Sequence, residues 1–329
     1  KLGRSPLLVD YLNYNSIDPL VFFENTQFKN YIDVLNKFSK NNIVLSKNEI
    51  IWLNFLTFEV LTGKRKHELI LLYHLLKDGN ISKEQFIFIL RDENLPNDVK
   101  TISSVESVLQ LTFLKAQEIK KFGTDPLLIC TDFEYILQED FAQLLKRDEF
   151  RHAVEDIIQA GLLKSIEYPY IFTIGQKYSR RDVAKLLNWA KDEPPLNIGG
   201  YKIDKATNTC PIFITYHKND EINDTIKYED ELLNESTLKW FSKNKRTLES
   251  PDVKAILNSP TNGLDLKLFI IKDDAEGGDF YYLGNLKLIP SSVEEMVRSL
   301  EKGDESIVTM QFKLDSPVPD TLYRYITNK

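Results

Sequence analysis

The sequence predicts an α+β protein, with a helical domain over residues 1–176 and a β-rich domain over residues 177–329. Three observations lead there. Up to about Gln176, apolar residues recur at spacings of three and four, the period of a helix with one buried face. Beyond it the period falls to two, as strands require. Between the two patterns, Asp192-Glu-Pro-Pro195 and Gly199-Gly200 interrupt the chain with residues that fix or free the backbone. The first domain reads as winged-helix-like and the second as a small, strongly curved barrel.

The helices expected from the spacing are Phe28–Lys40, Lys47–Thr62, Lys66–Lys77, Lys83–Arg91, Ser104–Phe122, Asp132–Lys146 and Glu149–Gly161. Ser82-Lys-Glu-Gln85 has the form of a capping box, in which the hydroxyl takes the N–H three residues on and the glutamine reaches back. Gly161 stands where a left-handed cap would stop the last helix. Residues 162–174 then read as a hairpin, which completes the helix, helix, hairpin order of a winged helix. One more helix, Tyr178–Trp189, is opened by Ser179-Arg-Arg-Asp182.

After the break, Cys210–Lys218, Leu264–Lys272, Phe280–Ile289 and Ser306–Leu314 are rich in Ile, Phe, Tyr, Val and Thr and are expected as strands. Glu276-Gly-Gly-Asp279 marks a turn between two of them. Ser250 and Pro251 start a helix over Val253–Asn258, proline being suited to the first helical position.

Composition narrows the function. The 329 residues hold 42 Lys or Arg against 49 Asp or Glu, a net charge of −7, which excludes a bulk-basic nucleic-acid coat protein and a disordered tail. The two cysteines, Cys130 and Cys210, cannot form a disulfide scaffold and fit no zinc spacing, so a reduced, cytoplasmic setting is expected. No apolar run approaches the roughly 18 residues of a membrane span. The chain begins Lys-Leu-Gly-Arg-Ser-Pro and reads as a fragment of a longer protein.

Catalytic motifs are missing. There is no phosphate-cradling Gly-rich loop ending in Lys-Ser/Thr, no Gly-x-Ser-x-Gly and no His-Glu-x-x-His. Four histidines (67, 74, 152, 217) make a His-rich metal site improbable. His217-Lys218-Asn219-Asp220 holds the residue types of phospholipase-D-type nucleases. That chemistry needs His and Lys one residue apart on one strand face, and adjacent residues point oppositely. No catalytic residue, metal or cofactor is expected in this fragment.

One segment combines charge and rings. From Tyr228 to Arg246 the chain carries Lys239, Lys243, Lys245 and Arg246 around Trp240 and Phe241, within a half whose 22 basic and 25 acidic residues sum to −3 (22 − 25). Cations that displace counterions and flat rings that stack on bases are what a nucleic-acid surface needs. A cytosine offers an exocyclic amine donor, for which a carboxylate is the natural acceptor. Tyr216, Tyr228, Trp240 and Phe241 are candidate rings for gripping an extruded base, with Glu229, Asp230 and Ser242 as polar partners. His217, Lys218, Lys239, Lys243, Lys245 and Arg246 are candidate phosphate contacts. Tyr281 and Tyr282 are less favoured, since their segment reads as a core strand. The competing account is a strand whose Trp240 is core and whose lysines are solvated.

Several segments carry a family resemblance. Tyr178-Ser-Arg-Arg-Asp-Val-Ala-Lys-Leu-Leu-Asn-Trp189, Pro211–Lys218, Tyr228–Glu231, Trp240-Phe-Ser242 and Phe280-Tyr-Tyr-Leu-Gly284 resemble the C-terminal domain, formerly of unknown function, of ATP-dependent, modification-dependent type IV restriction endonucleases. That family includes a staphylococcal enzyme that cuts DNA carrying 5-methylcytosine. The opening Leu2–Tyr11 and Asp18-Pro19 resemble the stretch that follows the family's motor. The resemblance implies a phospholipase-D-type nuclease and a superfamily-2 helicase elsewhere in the same polypeptide, using ATP and Mg²⁺. It implies for this chain a helical coupler and a reader similar to SRA (SET-and-RING-associated) domains, which flip the modified base. Methylated duplex DNA would be the partner, with a homodimer possible and no membrane. Where the family pattern often reads Trp-x-Ser-Gln, this chain has Trp240-Phe-Ser-Lys243, which points position 243 toward phosphate rather than a base edge.

A DNA reader is therefore the leading expectation. A protein-interaction module between motor and nuclease is the alternative, favoured by a net charge that repels DNA at long range. A standalone enzyme is the weakest.

Overall fold

The computed structural model describes residues 3–24, 27–38, 42–217, 230–300 and 303–328. The chain divides into two compact units. The first holds residues 1–171 with 190–192, the second residues 172–189 and 193–329.

The first unit is helical around one apolar core. Its main helices are α1 (Tyr31–Phe38), α2 (Lys47–Glu59) and α3 (Lys66–Asp78), then α4 (Lys83–Asp92) after the short strand β1 (Asn80–Ser82). Next come α5 (Val99–Leu109), α6 (Ala116–Phe122), β2 (Leu128–Cys130) and β3 (Glu134–Leu137). The unit closes with α7 (Glu139–Leu144) and α8 (Asp148–Lys164). The three strands form a small antiparallel sheet in the order β1-β3-β2. Ser82 Oγ accepts the Gln85 N–H at 3.1 Å, the hydroxyl half of the expected capping box.

Three local expectations are corrected. The hairpin lies at 128–137, partly where a helix from Asp132 was expected, and not at 162–174. Strand β3 pairs with both β1 and β2, and this tertiary pairing outweighs local helical spacing. The expected helix Ser104–Phe122 is two helices. Asp98 starts the first by accepting the N–H groups of Lys100 and Thr101, and Leu111, at φ 62°, ends it. Gly161 is no cap: α8 runs through it to Lys164. A Cβ at Gly161 would lie 2.6 Å from Leu69 Cδ2 and 2.9 Å from the Val60 carbonyl, so glycine here permits a close approach between elements.

The second unit is built on one sheet. Strand β4 (Lys177–Ser179) leads into helix α9 (Arg180–Leu186), whose Ser179 and Asp182 form the reciprocal cap suggested by the sequence. The other strands are β5 (Thr209–His217), β6 (Glu231–Asn234), β7 (Thr237–Phe241), β8 (Asp265–Asp273), β9 (Asp279–Leu300) and β10 (Gly303–Leu314). Helix α10 (Pro251–Leu257) precedes β8, and α11 (Asp320–Thr327) follows β10. The order is β5-β8-β9-β10-β7-β6, with β4 on β9; β5 and β8 are parallel and the other pairs antiparallel. Among the described residues β5 and β6 remain edges, so the sheet does not close into the expected barrel.

Strand β9 pairs with β8 through its first residues and with β10 beyond Leu286, so it belongs to both halves of the sheet. Between Ile289↔Gln311 and Glu294↔Thr309 the register shifts, which accommodates Pro290, a residue with no N–H to give a ladder. Ser292 Oγ takes the stranded Gln311 N–H at 2.7 Å and donates to the Ile289 carbonyl at 2.6 Å. One face packs Ile212, Leu268, Leu283, Met310, Phe312 and Trp240 against Val253 and Ile256 of α10 and Ile326 of α11. No helix of the described residues is long and apolar enough to cross a membrane.

Candidate nucleic-acid interface

The expected basic and aromatic segment lies on β7 and the loop after it. Leu238 and Trp240 alternate onto the face that packs against α10 and α11. Trp240 is 2% exposed and meets Tyr201 edge-on at 5.0 Å and Phe312 at 5.8 Å. It is a core residue, which corrects its assignment as a stacking ring. Phe241, on the opposite face, is also buried, with the Lys239 ammonium 5.5 Å from its centroid.

Ser242 stitches β7 to β10. Its N–H donates to the Val308 carbonyl at 2.9 Å, and its Oγ accepts the Val308 N–H at 3.0 Å. Lys243 also acts within the fold. Its Nζ donates to the carbonyls of Ile198 (3.1 Å) and Tyr201 (2.8 Å) and lies 4.6 Å from the Tyr201 ring. Burial holds its pKa below the usual lysine value. This ammonium anchors the 198–201 loop to the sheet, which corrects its assignment as a phosphate contact. Arg246 Nε donates to Asp252 at 2.8 Å, and the Tyr201 hydroxyl donates to the same carboxylate at 2.7 Å. Burial works to raise Asp252, but those two hydrogen bonds outweigh it and hold the carboxyl low. Lys245, at φ 61°, is the exposed cation of the segment, with Glu305 Oε1 at 3.4 Å.

The rest of the expected site falls at strand ends. Tyr216 and His217 close β5, and Tyr216 is half-buried with its ring 5.1 Å from the imidazole, edge-on. His217 Nε2 lies 2.9 Å from the Ile326 carbonyl; a carbonyl only accepts, so Nε2 carries the proton. Asp230 Oδ1 accepts the Phe241 N–H at 2.9 Å. Lys218, Tyr228 and Glu229 lie outside the described residues.

The fold also collects rings and cations that the sequence reading passed over or ranked lower. Lys177 Nζ lies 4.5 Å from the Tyr281 centroid and Lys272 Nζ 5.0 Å from that of Tyr325, and these two rings meet edge-on at 6.1 Å. Glu276 joins the group through Lys177 at 3.5 Å and through the Tyr325 hydroxyl, which pushes the Tyr325 pKa up to about 12. The neighbour Tyr282 is buried on the other face, as the core-strand reading expects. The only available sequence signal for Tyr281 was its alternation with Tyr282; Tyr325 and Lys272 had none.

Neither cysteine is activated. Burial raises the Cys130 thiol to about 12 and pushes Cys210 higher still. Among the described residues no group of three or more His, Cys, Asp or Glu side chains could hold a metal ion. An apolar pocket of about 190 Å³ lies in the helical unit, beside Tyr31, Leu35, His152 and Ile157.

Two family profiles match the chain. Residues 172–326 match "Domain of unknown function (DUF3427)" and residues 1–170 match "Domain of unknown function (DUF8090)". No curated protein matches. Solved structures similar to the chain include one described as "Crystal structure of SUVH5 SRA- hemi methylated CG DNA complex", at 14% identity and TM-score 0.30, covering 45% of this chain and 91% of that one. Another is the "DNA recognition domain of the cytosine modification-dependent restriction endonuclease LpnPI", at 9% identity and TM-score 0.31, covering 44% and 73%. A third is the "DNA modification-dependent restriction endonuclease AspBHI", at 13% identity and TM-score 0.30, covering 46% and 43%. The profile over residues 1–170 spans more than half of the 329 residues, and the chain belongs to that family, the domain of unknown function DUF8090.

Proposed function

We propose that the sheet unit binds duplex DNA and recognises a cytosine modified at its 5-position, as 5-methylcytosine or 5-hydroxymethylcytosine, by an SRA-like mode that extrudes the base. The observation that carries this reading is convergence. Pro211–His217, Trp240–Ser242 and Phe280–Gly284, three of the segments that bear the resemblance, are far apart in sequence and lie on or directly beside strands of one sheet around one core. The proteins named above are described as methylated-DNA complexes and modification-dependent enzymes; the reading for this chain rests on its own residues. Tyr216 is the ring of the expected set that is both described and partly open, with Trp240 and Phe241 supporting the sheet.

In this reading the chain is the recognition part of a longer ATP-dependent, cytoplasmic endonuclease, and cuts nothing alone. The test is fluorescence anisotropy with duplexes that differ only in one 5-methylcytosine. Tighter binding to the modified duplex, weakening as salt rises, is expected. Equal affinity for both removes the specificity, and cleavage of either duplex by the fragment with Mg²⁺ and ATP removes the division of labour.

A second reading concerns the helical unit. The order α3-β1-α4-α5-α6-β2-β3, a small antiparallel sheet among helices, supports the winged-helix-like reading with one helix added before the hairpin. The turn between β2 and β3 carries Phe133, 81% exposed, beside Asp132 and Glu134. An apolar tip flanked by acids suits a protein surface better than phosphates, which favours a coupling role for this unit.

A further inference from the structure

Arg180 is the first residue of α9, directly after β4, which pairs with the start of β9. Its guanidinium carbon lies 4.5 Å from the Phe280 centroid and 5.1 Å from that of Phe213. Those two rings are buried and meet edge-on at 5.2 Å. They end a run of packed aromatics that continues through Phe269 and Tyr282 to Phe172 and Tyr178. An arginine stacked this way has already lost much of its side-chain freedom, and its planar fork is held in one orientation.

Nothing described in the chain answers the charge. Arg180 is half-buried, its Nε is fully enclosed, and among the described residues that N–H meets no acceptor. Burial alone acts on the group and holds its pKa below the usual arginine value, with no carboxylate opposing it. Other cations of this unit have partners. Lys243 has two carbonyls, Arg246 has Asp252, and Lys267 has Asp265 and Asn285. A desolvated cation without an anion is costly, and a bound oxyanion removes that cost.

We propose that Arg180 is a backbone anchor, a guanidinium pre-oriented to take a phosphate oxygen of nucleic acid. The inference rests on the DNA-binding reading above and adds to it a residue outside the expected basic segment. The charge balance favours phosphate. With Lys243 and Arg246 engaged inside the fold, the acidic unit needs a cation that no carboxylate pairs, and among the described residues Arg180 is one.

The test is the affinity of the full chain for the methylated and unmodified duplexes, read against salt for the wild type, Arg180→Gln and Arg180→Lys. A phosphate contact carries no sequence information. Arg180→Gln is therefore expected to weaken binding to both duplexes by the same factor, about tenfold or more. It should also reduce the slope of log affinity against log salt by about 0.9. Arg180→Lys keeps the charge and the slope but loses the fork, and should bind between the two. Wild-type affinity and slope in Arg180→Gln overturn the anchor while leaving the reader intact. So does a change in the methylated-to-unmodified ratio alone. A misfolded Arg180→Gln lowers the active fraction and leaves the slope unmoved, and the anchor then stands or falls on whether Arg180→Lys weakens both duplexes equally. A wild type that binds neither duplex overturns the reading and the anchor together.

Discussion

The segment Lys239–Arg246 and the single residue Arg180 are two cationic regions of the same sheet unit. They differ in what surrounds the charge. The segment is dense in lysine and arginine, and its half-buried Lys243 and Arg246 are tied to carbonyls and a carboxylate. Arg180 has aromatic faces for neighbours and no acceptor among the described residues. A count of charges along a chain thus measures where cations are, whereas availability to a ligand depends on which acceptors the fold has placed beside them.

The largest expected effect tests the structural side of this comparison. Trp240→Ala removes an indole packed between Tyr201 and Phe312 and should cost about 3–5 kcal/mol, measured by urea denaturation. A loss under about 1 kcal/mol, coupled with weaker DNA binding, would return Trp240 to the surface role expected from sequence. Next is Lys243→Met, which keeps the stem and removes the ammonium. Two carbonyls of buried residues lose their donor, at about 1–3 kcal/mol. The salt slope of DNA binding should not move, the reverse of the pattern expected for Arg180→Gln. A reduced slope in Lys243→Met would erase the distinction between the two regions.

A carboxylate in the helical unit extends the comparison and carries the smallest expected effect. Asp156 is buried and accepts the N–H groups of Leu8 (2.8 Å) and Val9 (3.2 Å). Burial raises its pKa from 3.8 to about 6. The folded state therefore binds this proton more tightly than the unfolded chain. The stability it contributes is fully present below about pH 4 and is lost as pH rises through about 6. Asp156→Asn keeps one acceptor and cannot ionise. Its stability relative to the wild type should rise between pH 4 and 8, by on the order of 1 kcal/mol. A difference that is flat across that range would show that the carboxylate titrates normally.

Much of the architecture was legible in the residues. Lys47–Thr62, Lys66–Lys77 and Lys83–Arg91 overlap closely with α2, α3 and α4, because helix period and caps are local signals. Phe280–Ile289 was expected to stop before Pro290, yet β9 continues to Leu300, because the shifted register removes the need for a proline N–H. Strand β6 was not among the expected strands and β7 entered only as the competing account, a strand with a core Trp240, since lysines and glutamates mask the alternation of Leu232, Leu238 and Trp240. Of the expected site, Tyr216, His217 and Asp230 stand at strand ends, while Trp240, Ser242 and Lys243 hold the sheet together.

By itself the sequence determined that a helical half precedes a β-rich half, where most helices begin, and which residue types are concentrated between Tyr228 and Arg246. These depend on neighbours a few positions away, within reach of a single turn or strand. Only the tertiary structure decided that the sheet of the described residues stays open, that Gly161 serves packing rather than termination, and that Tyr281 meets Tyr325. It also decided which cations face an acceptor, because burial and pairing depend on groups brought together from distant positions: Ile198 for Lys243, and Phe213 with Phe280 for Arg180.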